Sequence, residues 1–223
     1  MFYIFVSQNI FIEMIKVGLS GNRYSGKTSV GKLFRQIGIP VFDADVVLKF
    51  IISRDLETIS QIKSKVGEHI FKNGELSSKY ITDSEFDKIL ECASFQIMKA
   101  YENFNQKNSF SVYTIFNSSF LFETDWADEM DFNINVFCPK IHRMERCKEL
   151  TNMKVSDIAF MLRNEMDDLD KNKMSTYIVH NYSNMDTPTQ VNKIDQKIID
   201  TYLKNEQTHK LTPDGKGIIL SHY

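Results

Sequence analysis

The sequence predicts an α/β fold built on a five-stranded parallel sheet with helices on both faces. Three observations carry this expectation. Five short apolar runs, at 15–19, 39–42, 111–116, 132–137 and 176–179, have the length and β-branched content of buried strands. Segments of helical composition separate them, which suits strands laid parallel and covered on both sides. A glycine-containing turn follows the first run and opens into a helical pattern. In sheets of this kind ligands collect at the C-terminal ends of the strands, so the chemistry is sought there.

Each element has its own signal. Ile15-Lys16-Val17-Gly18-Leu19 is the first strand. Val30, Leu33, Phe34 and Ile37 lie on one face of a helix from Thr28 that Gly38 ends. Ile39-Pro40-Val41-Phe42 is the second strand, with proline tolerable at a strand start. Val46 to Val66 carries two helical stretches with a break near 53–55, Asn73-Gly74 marks a turn, and 82–106 is helical. The third and fourth strands follow. Pro139 then opens a helix bearing Arg143 and Arg146, and Ser156 is placed to cap another running to about Leu169. After the fifth strand a last helix is expected over about 189–203, with a polar tail from Asn205.

Composition bounds the function classes. The 223 residues suit one domain, and 42% hydrophobic with 25% charged residues is ordinary for a globular chain. With 27 Lys and Arg against 29 Asp and Glu, the net charge of −2 gives no general attraction to nucleic acid or anionic membrane. Any phosphate must be held by a local site. Cys92, Cys138 and Cys147 match no zinc spacing and are expected as reduced, partly buried thiols. His69, His142 and His180 likewise show no ligand spacing. No apolar run reaches the ~18 residues of a membrane span. The apolar start lacks a basic n-region and an A-x-A cleavage site, so a cytoplasmic location is expected.

The sharpest motif is Gly21-Asn22-Arg23-Tyr24-Ser25-Gly26-Lys27-Thr28, which fits G-x-x-x-x-G-K-[ST]. Its glycines let backbone N–H groups converge on phosphate oxygens, and the helix that follows adds its positive dipole end. Lys27 would reach the β- and γ-phosphates of ATP, and the Thr28 hydroxyl would ligate Mg²⁺. Asp43-Ala44-Asp45 ends the second strand. Residues two apart on an extended chain share a face, so both carboxylates are expected to face the phosphate loop. One would orient an acceptor hydroxyl, while Asp43 is a candidate for the metal or for capping the next helix. Arg143 and Arg146, three apart on one helix face, are candidates for a lid over the phosphates, Arg143 binding nucleotide and Arg146 acting in catalysis. The competing reading is a solvated face interleaved with Glu145 and Glu149.

From about Ile15 to Asn181 the chain resembles the dephospho-CoA kinase family. The resemblance rests on Lys16-Val17-Gly18-Leu19-Ser20-Gly21 with the phosphate loop, and on Gly38-Ile39-Pro40-Val41-Phe42-Asp43-Ala44-Asp45. Ile70-Phe71-Lys72-Asn73-Gly74-Glu75-Leu76 and Phe120-Leu121-Phe122-Glu123-Thr124-Asp125-Trp126 extend it. It implies a P-loop kinase fold over 14–204, with a helical substrate-region insertion at about 53–108 and a lid at about 139–173. Residues 1–13 would be an N-terminal extension and 205–223 a tail. It also implies transfer of the ATP γ-phosphate to the 3′-hydroxyl of dephospho-CoA, with Asp45 as the catalytic carboxylate. The chain departs from the family pattern in several places. Asn22-Arg23-Tyr24 is bulkier than the usual loop, no His-Pro pair stands near Cys92-Ala93-Ser94, and Ser119 replaces a proline. Asn117 replaces an acidic residue, and the usual lid arginine aligns near Lys148 and Glu149. Some deoxynucleoside monophosphate kinases also carry a cationic phosphate loop. Such a kinase, or a non-catalytic nucleotide-binding relative, is therefore the alternative function.

Overall fold

The computed structural model describes residues 14–72, 75–76, 81–162 and 165–210. The expected N-terminal extension, 1–13, lies outside them, as do residues 211–223 of the expected tail. The five anticipated strands form one parallel sheet: β1 (Ile15–Ser20), β2 (Val41–Asp43), β5 (Tyr113–Asn117), β6 (Phe132–Phe137) and β7 (Tyr177–His180), in the order β2-β5-β1-β6-β7. Leu19 of β1 lies opposite Asn117 of β5, and Asn117 opposite Asp43 of β2. The C-terminal ends of these three strands therefore form one rim, and the phosphate loop leaves from it.

Helices cover both faces of the sheet, which is why its central strands, β1 and β5, are almost wholly buried and largely apolar. On one face Val17, Leu19, Ile115 and Val136 pack against Val30 and Phe34 of α1 (Lys27–Gln36) and Val191, Ile194 and Ile198 of α8 (Thr187–Lys210). On the other, Phe42 and Phe116 meet Leu48 and Ile51 of α2 (Ala44–Arg54) and Ile97 and Tyr101 of α4 (Asp83–Lys107). Trp126 closes that layer edge-on to Phe116 and donates from its indole to Ser94 Oγ at 2.7 Å. Each such fully buried apolar side chain stabilises by about 1.5–3 kcal/mol. The two cores clamp β1 and the start of α2 and so fix both halves of the site.

The segment expected as a substrate-region insertion, about 53–108, contains α3 (Leu56–Lys65), a two-stranded antiparallel hairpin of β3 (Phe71–Lys72) and β4 (Glu75–Leu76), and the long α4. A capping box between Thr82 and Glu85 starts α4. The hairpin was not anticipated beyond its turn. The segment expected as a lid, about 139–173, contains α5 (Lys140–Leu150), α6 (Val155–Met161) and α7 (Asp168–Lys173). One helix from Ser156 to Leu169 was expected; instead α6 already begins at Val155 and ends at Met161. Asp167 caps the separate α7 by accepting from the Leu169 amide at 2.8 Å. α8 continues through Lys210, six residues into the segment expected to be a tail. Cys92, Cys138 and Cys147 are unpaired and buried. Among the described residues no helix is long and apolar enough to cross a membrane.

Candidate functional site

The phosphate loop curls because two positions have no room for a side chain. A Cβ on Gly21 would lie 2.8 Å from the Val136 carbonyl oxygen, and one on Gly26 only 2.0 Å from Asn181 Nδ2. Gly26 also has φ +92°, where L side chains are strained. Tyr24 holds φ 63° without being glycine, at a cost of about 1–2 kcal/mol. Its ring offsets this by packing on Cys147 of α5 and on Ile158 and Leu162 at α6.

Asn22 and Tyr24 turn their side chains toward the α5–α7 segment, and Arg23 meets it through its backbone. Asn22 Nδ2 donates to Asp168 Oδ1 at 2.8 Å and to the Met166 carbonyl at 3.0 Å. The Arg23 amide donates to Glu165 Oε1 at 2.8 Å. Arg143, only 2% exposed, is ion-paired with Glu165 and with Asp168 at 3.1 Å, and also donates to the Cys138 and Arg23 carbonyls. Burial pushes the Asp168 carboxyl above its ordinary range, while Arg143 and Asn22 pull the other way. Arg146 donates to the Tyr24 and Ser25 carbonyls at 3.1 and 3.0 Å and to the Asn181 carbonyl at 2.7 Å. Asn181 Nδ2 adds a second bond to the Ser25 carbonyl.

The carbonyls of residues 23–25 are thus fixed toward α5 and the β7 end. Because C=O and N–H oppose each other in a trans peptide, the Tyr24 and Gly26 amides turn the other way. Arg143 and Arg146 are therefore neither a solvated face nor, in this arrangement, directed at the cleft. They brace the phosphate loop from behind.

The cleft itself, about 270 Å³, is lined by Gly21, Asn22, Arg23, Tyr24, Gly26, Lys27, Thr28, Asp45 and Ser119. Ser25 lies beneath it, fully buried, its Oγ without a partner among the described residues. Lys27 Nζ meets Asp45 Oδ2 at 2.8 Å. Burial alone would raise the Asp45 carboxyl, but the charge and hydrogen bond of Lys27 and the bonds from Ser119 outweigh it. The carboxyl is held below its ordinary range. The expected face-sharing of Asp43 and Asp45 does not arise, because the chain turns helical at Ala44 and strand alternation stops there. Asp43 takes the N-cap position of α2 without a side-chain cap bond and does not line the cleft.

The family model for dephospho-CoA kinase matches residues 15–187. The chain belongs to the dephospho-CoA kinase family. Dephospho-CoA kinase of Bacteroides fragilis is 26% identical over 174 residues, 75% of this chain and 84% of that protein. Dephospho-CoA kinase of Rhizobium meliloti is 26% identical over 184 residues, 79% and 94% of the two chains. An uncharacterized protein of Caenorhabditis elegans is 26% identical over 187 residues, 78% of each. The crystal structure of TT1252 from Thermus thermophilus superposes with a TM-score of 0.70 at 18% identity, covering 83% of this chain and 98% of that one, which shows the fold. The chain is a P-loop kinase of this family, with the parallel core and flanking helices that its sequence predicts.

Several site residues were not singled out from the sequence. Glu165, Asp168 and Asn181 hold the phosphate loop but are distant from it in the chain and sit in no short motif. Lys171 of α7, 1% exposed, pairs with Glu123 Oε1 at 2.7 Å and so ties α7 to the Phe122-Glu123-Thr124 segment of the dephospho-CoA kinase pattern. Asn117, where that pattern has an acid, is buried with Oδ1 unpartnered among the described residues. Ser119 had a visible signal, the missing proline, but its partner was not readable.

Proposed function

We propose that this chain transfers the γ-phosphoryl group of ATP to the 3′-hydroxyl of dephospho-CoA in the cytoplasm, where reduced, buried thiols such as its own persist. The observation that carries the reading is the Lys27–Asp45 pair at the mouth of the phosphate loop. It sets a phosphate-binding cation and a carboxylate side by side in one cleft. The loop amides and the N-terminus of α1 receive the phosphates. Lys27 moves from Asp45 to the β- and γ-phosphates and stabilises the charge of the transferring group. Asp45 accepts the proton of the attacking hydroxyl at Oδ2 as the new O–P bond forms and the bond from the γ-phosphorus to the leaving ADP oxygen breaks. Arg143 and Arg146 act through the loop they brace.

A divalent cation fits this donor set as a companion of the nucleotide. Among the described residues no group of three or more His, Cys, Asp or Glu side chains could hold a metal ion, and Mg²⁺ typically takes its ligands from phosphates, waters and one or two protein oxygens. Thr28, in the cleft, would supply the protein ligand; Asp43 does not line the cleft. Bound there, Mg²⁺ would neutralise charge on the phosphates.

The test separates binding from chemistry. Lys27→Ala should weaken ATP binding and slow transfer. Asp45→Asn should still bind ATP while single-turnover transfer falls by roughly 10²-fold or more, the scale of general-base loss. Wild-type turnover in Asp45→Asn would remove Asp45 from the chemistry.

A further inference from the structure

Asp45 sits in the first turn of α2, where nothing in its own helix fixes the carboxylate. Its partners come from elsewhere. Oδ2 accepts from Lys27 Nζ at 2.8 Å and from Ser119 Oγ at 2.7 Å. Oδ1 accepts from the Ser119 amide at 2.9 Å, and that amide also lies 3.2 Å from Oδ2. Ser118 Oγ adds a long contact to Oδ1 at 3.4 Å. A carboxylate has about four lone-pair sites, so this one is nearly saturated. In that state it has little capacity to take a proton from a hydroxyl.

One of these partners has another task. Lys27 is the loop cation, and phosphate draws it away. Its departure empties a lone pair of Oδ2 on the cleft side. The remaining hold comes from residue 119, through two charge-assisted bonds that approach from the end of β5. β5 is the central sheet's own strand, anchored between β1 and β2, so this clamp does not move with the phosphate loop.

We infer that Ser119 is the positioning residue for Asp45: its N–H and Oγ lock the carboxylate so that departure of Lys27 bares one Oδ2 lone pair toward the acceptor hydroxyl and the carboxylate cannot swing after the lysine. Ser119 is not itself a catalytic residue. The inference rests on the reading of Asp45 as the proton acceptor. Ser119 lines the cleft, but among the described residues its hydrogen bonds run to Asp45 and not to the phosphate loop, so its contribution falls on the chemical step more than on nucleotide affinity.

The experiment measures kcat and KM for ATP and for dephospho-CoA in the full chain and in Ser119→Ala, Ser119→Thr and Asp45→Asn, with thermal midpoints alongside. Ser119→Ala keeps the amide and loses Oγ. It should lower kcat by about 10- to 100-fold, the cost of a misplaced reacting group, while KM for ATP stays within about twofold. Ser119→Thr keeps both donors and should restore kcat to within about threefold of wild type. If Asp45→Asn is inactive while Ser119→Ala keeps the wild-type kcat, this inference is wrong and the Asp45 reading stands. If Asp45→Asn turns over normally, the reading of Asp45 itself fails. A fall in kcat that threonine does not rescue, or that comes with an equal loss of ATP affinity and a lowered midpoint, makes Ser119 merely structural and overturns the inference.

Discussion

Replacing Arg143 with alanine removes a guanidinium that is 2% exposed and bonded to two carboxylates and two carbonyls. Glu165 and Asp168 are themselves mostly buried, with side-chain exposures of 12% and 15%. They would be left as neighbouring anions without a cation. Breaking a buried pair from one side costs about 3–5 kcal/mol, more than the pair contributes relative to an apolar replacement, because the orphaned charge stays desolvated. For a chain of this size each kcal/mol lowers Tm by about 2–4 °C, so Arg143→Ala should melt roughly 6–20 °C below wild type. Arg143→Lys returns the charge without the planar fork and should recover only part of the loss. Urea and thermal unfolding followed by circular dichroism measure this directly. The solvated-face reading expects a change within about ±0.5 kcal/mol. A measured loss under about 1 kcal/mol would refute the buried-network reasoning.

Three further outcomes follow from the same geometry. Gly26→Ala places a Cβ at φ +92° and 2.0 Å from Asn181 Nδ2. It should destabilise by about 2–4 kcal/mol, from left-handed strain plus the displaced Asn181–Ser25 bond, and should raise the Kd for ATP in calorimetry. Arg146→Ala frees the Tyr24 carbonyl and leaves the Ser25 carbonyl to Asn181 alone, and should raise KM for ATP with smaller losses of stability than Arg143→Ala, since among the described residues Arg146 bonds to carbonyls and to no carboxylate. The Asp45 carboxyl is held below its unfolded value of about 3.9. Its ionised form therefore stabilises the fold fully above that pH and loses this as pH falls through the lower folded value. The stability gap between wild type and Asp45→Asn should accordingly shrink below about pH 4 in urea titrations. A gap that widens on acidification would mean the sign is wrong.

The sheet was legible because its strands are short, rich in β-branched and aromatic residues and, at the centre of the sheet, almost wholly buried, as in β5, while β6 alternates apolar residues with Asn133 and Asn135 and β7 at the edge is half-buried. The phosphate loop was legible because its chemistry demands glycine and lysine at fixed spacing. The aspartate pair was misjudged for a local reason. Alternation holds only while the chain stays extended, and the helix starts between the two residues, at Ala44. The arginines were recognised as same-face neighbours, but their targets were not. Glu165 and Asp168 lie more than 20 residues from Arg143, on a turn and a short helix with no signature of their own. The substitution of Asn22-Arg23-Tyr24 for a lighter loop was visible as a departure. Its meaning, the Asn22 and Tyr24 side chains set against the α5–α7 segment, requires the tertiary arrangement. The same holds for Ser119: that a hydrogen-bonding residue stood there was plain, and that it held Asp45 was not.

The central claim is that this cleft passes phosphate from ATP to dephospho-CoA. The most direct measurement is ADP release with purified protein, ATP and Mg²⁺, run in parallel over dephospho-CoA and the ribo- and deoxyribonucleoside monophosphates, with the product's phosphate position fixed by mass spectrometry and ³¹P NMR. The account predicts turnover with dephospho-CoA, a product phosphorylated at the ribose 3′-hydroxyl, and no more than background with the monophosphates. Turnover on a deoxynucleoside monophosphate with none on dephospho-CoA would contradict it, as would ATP binding without transfer to any acceptor.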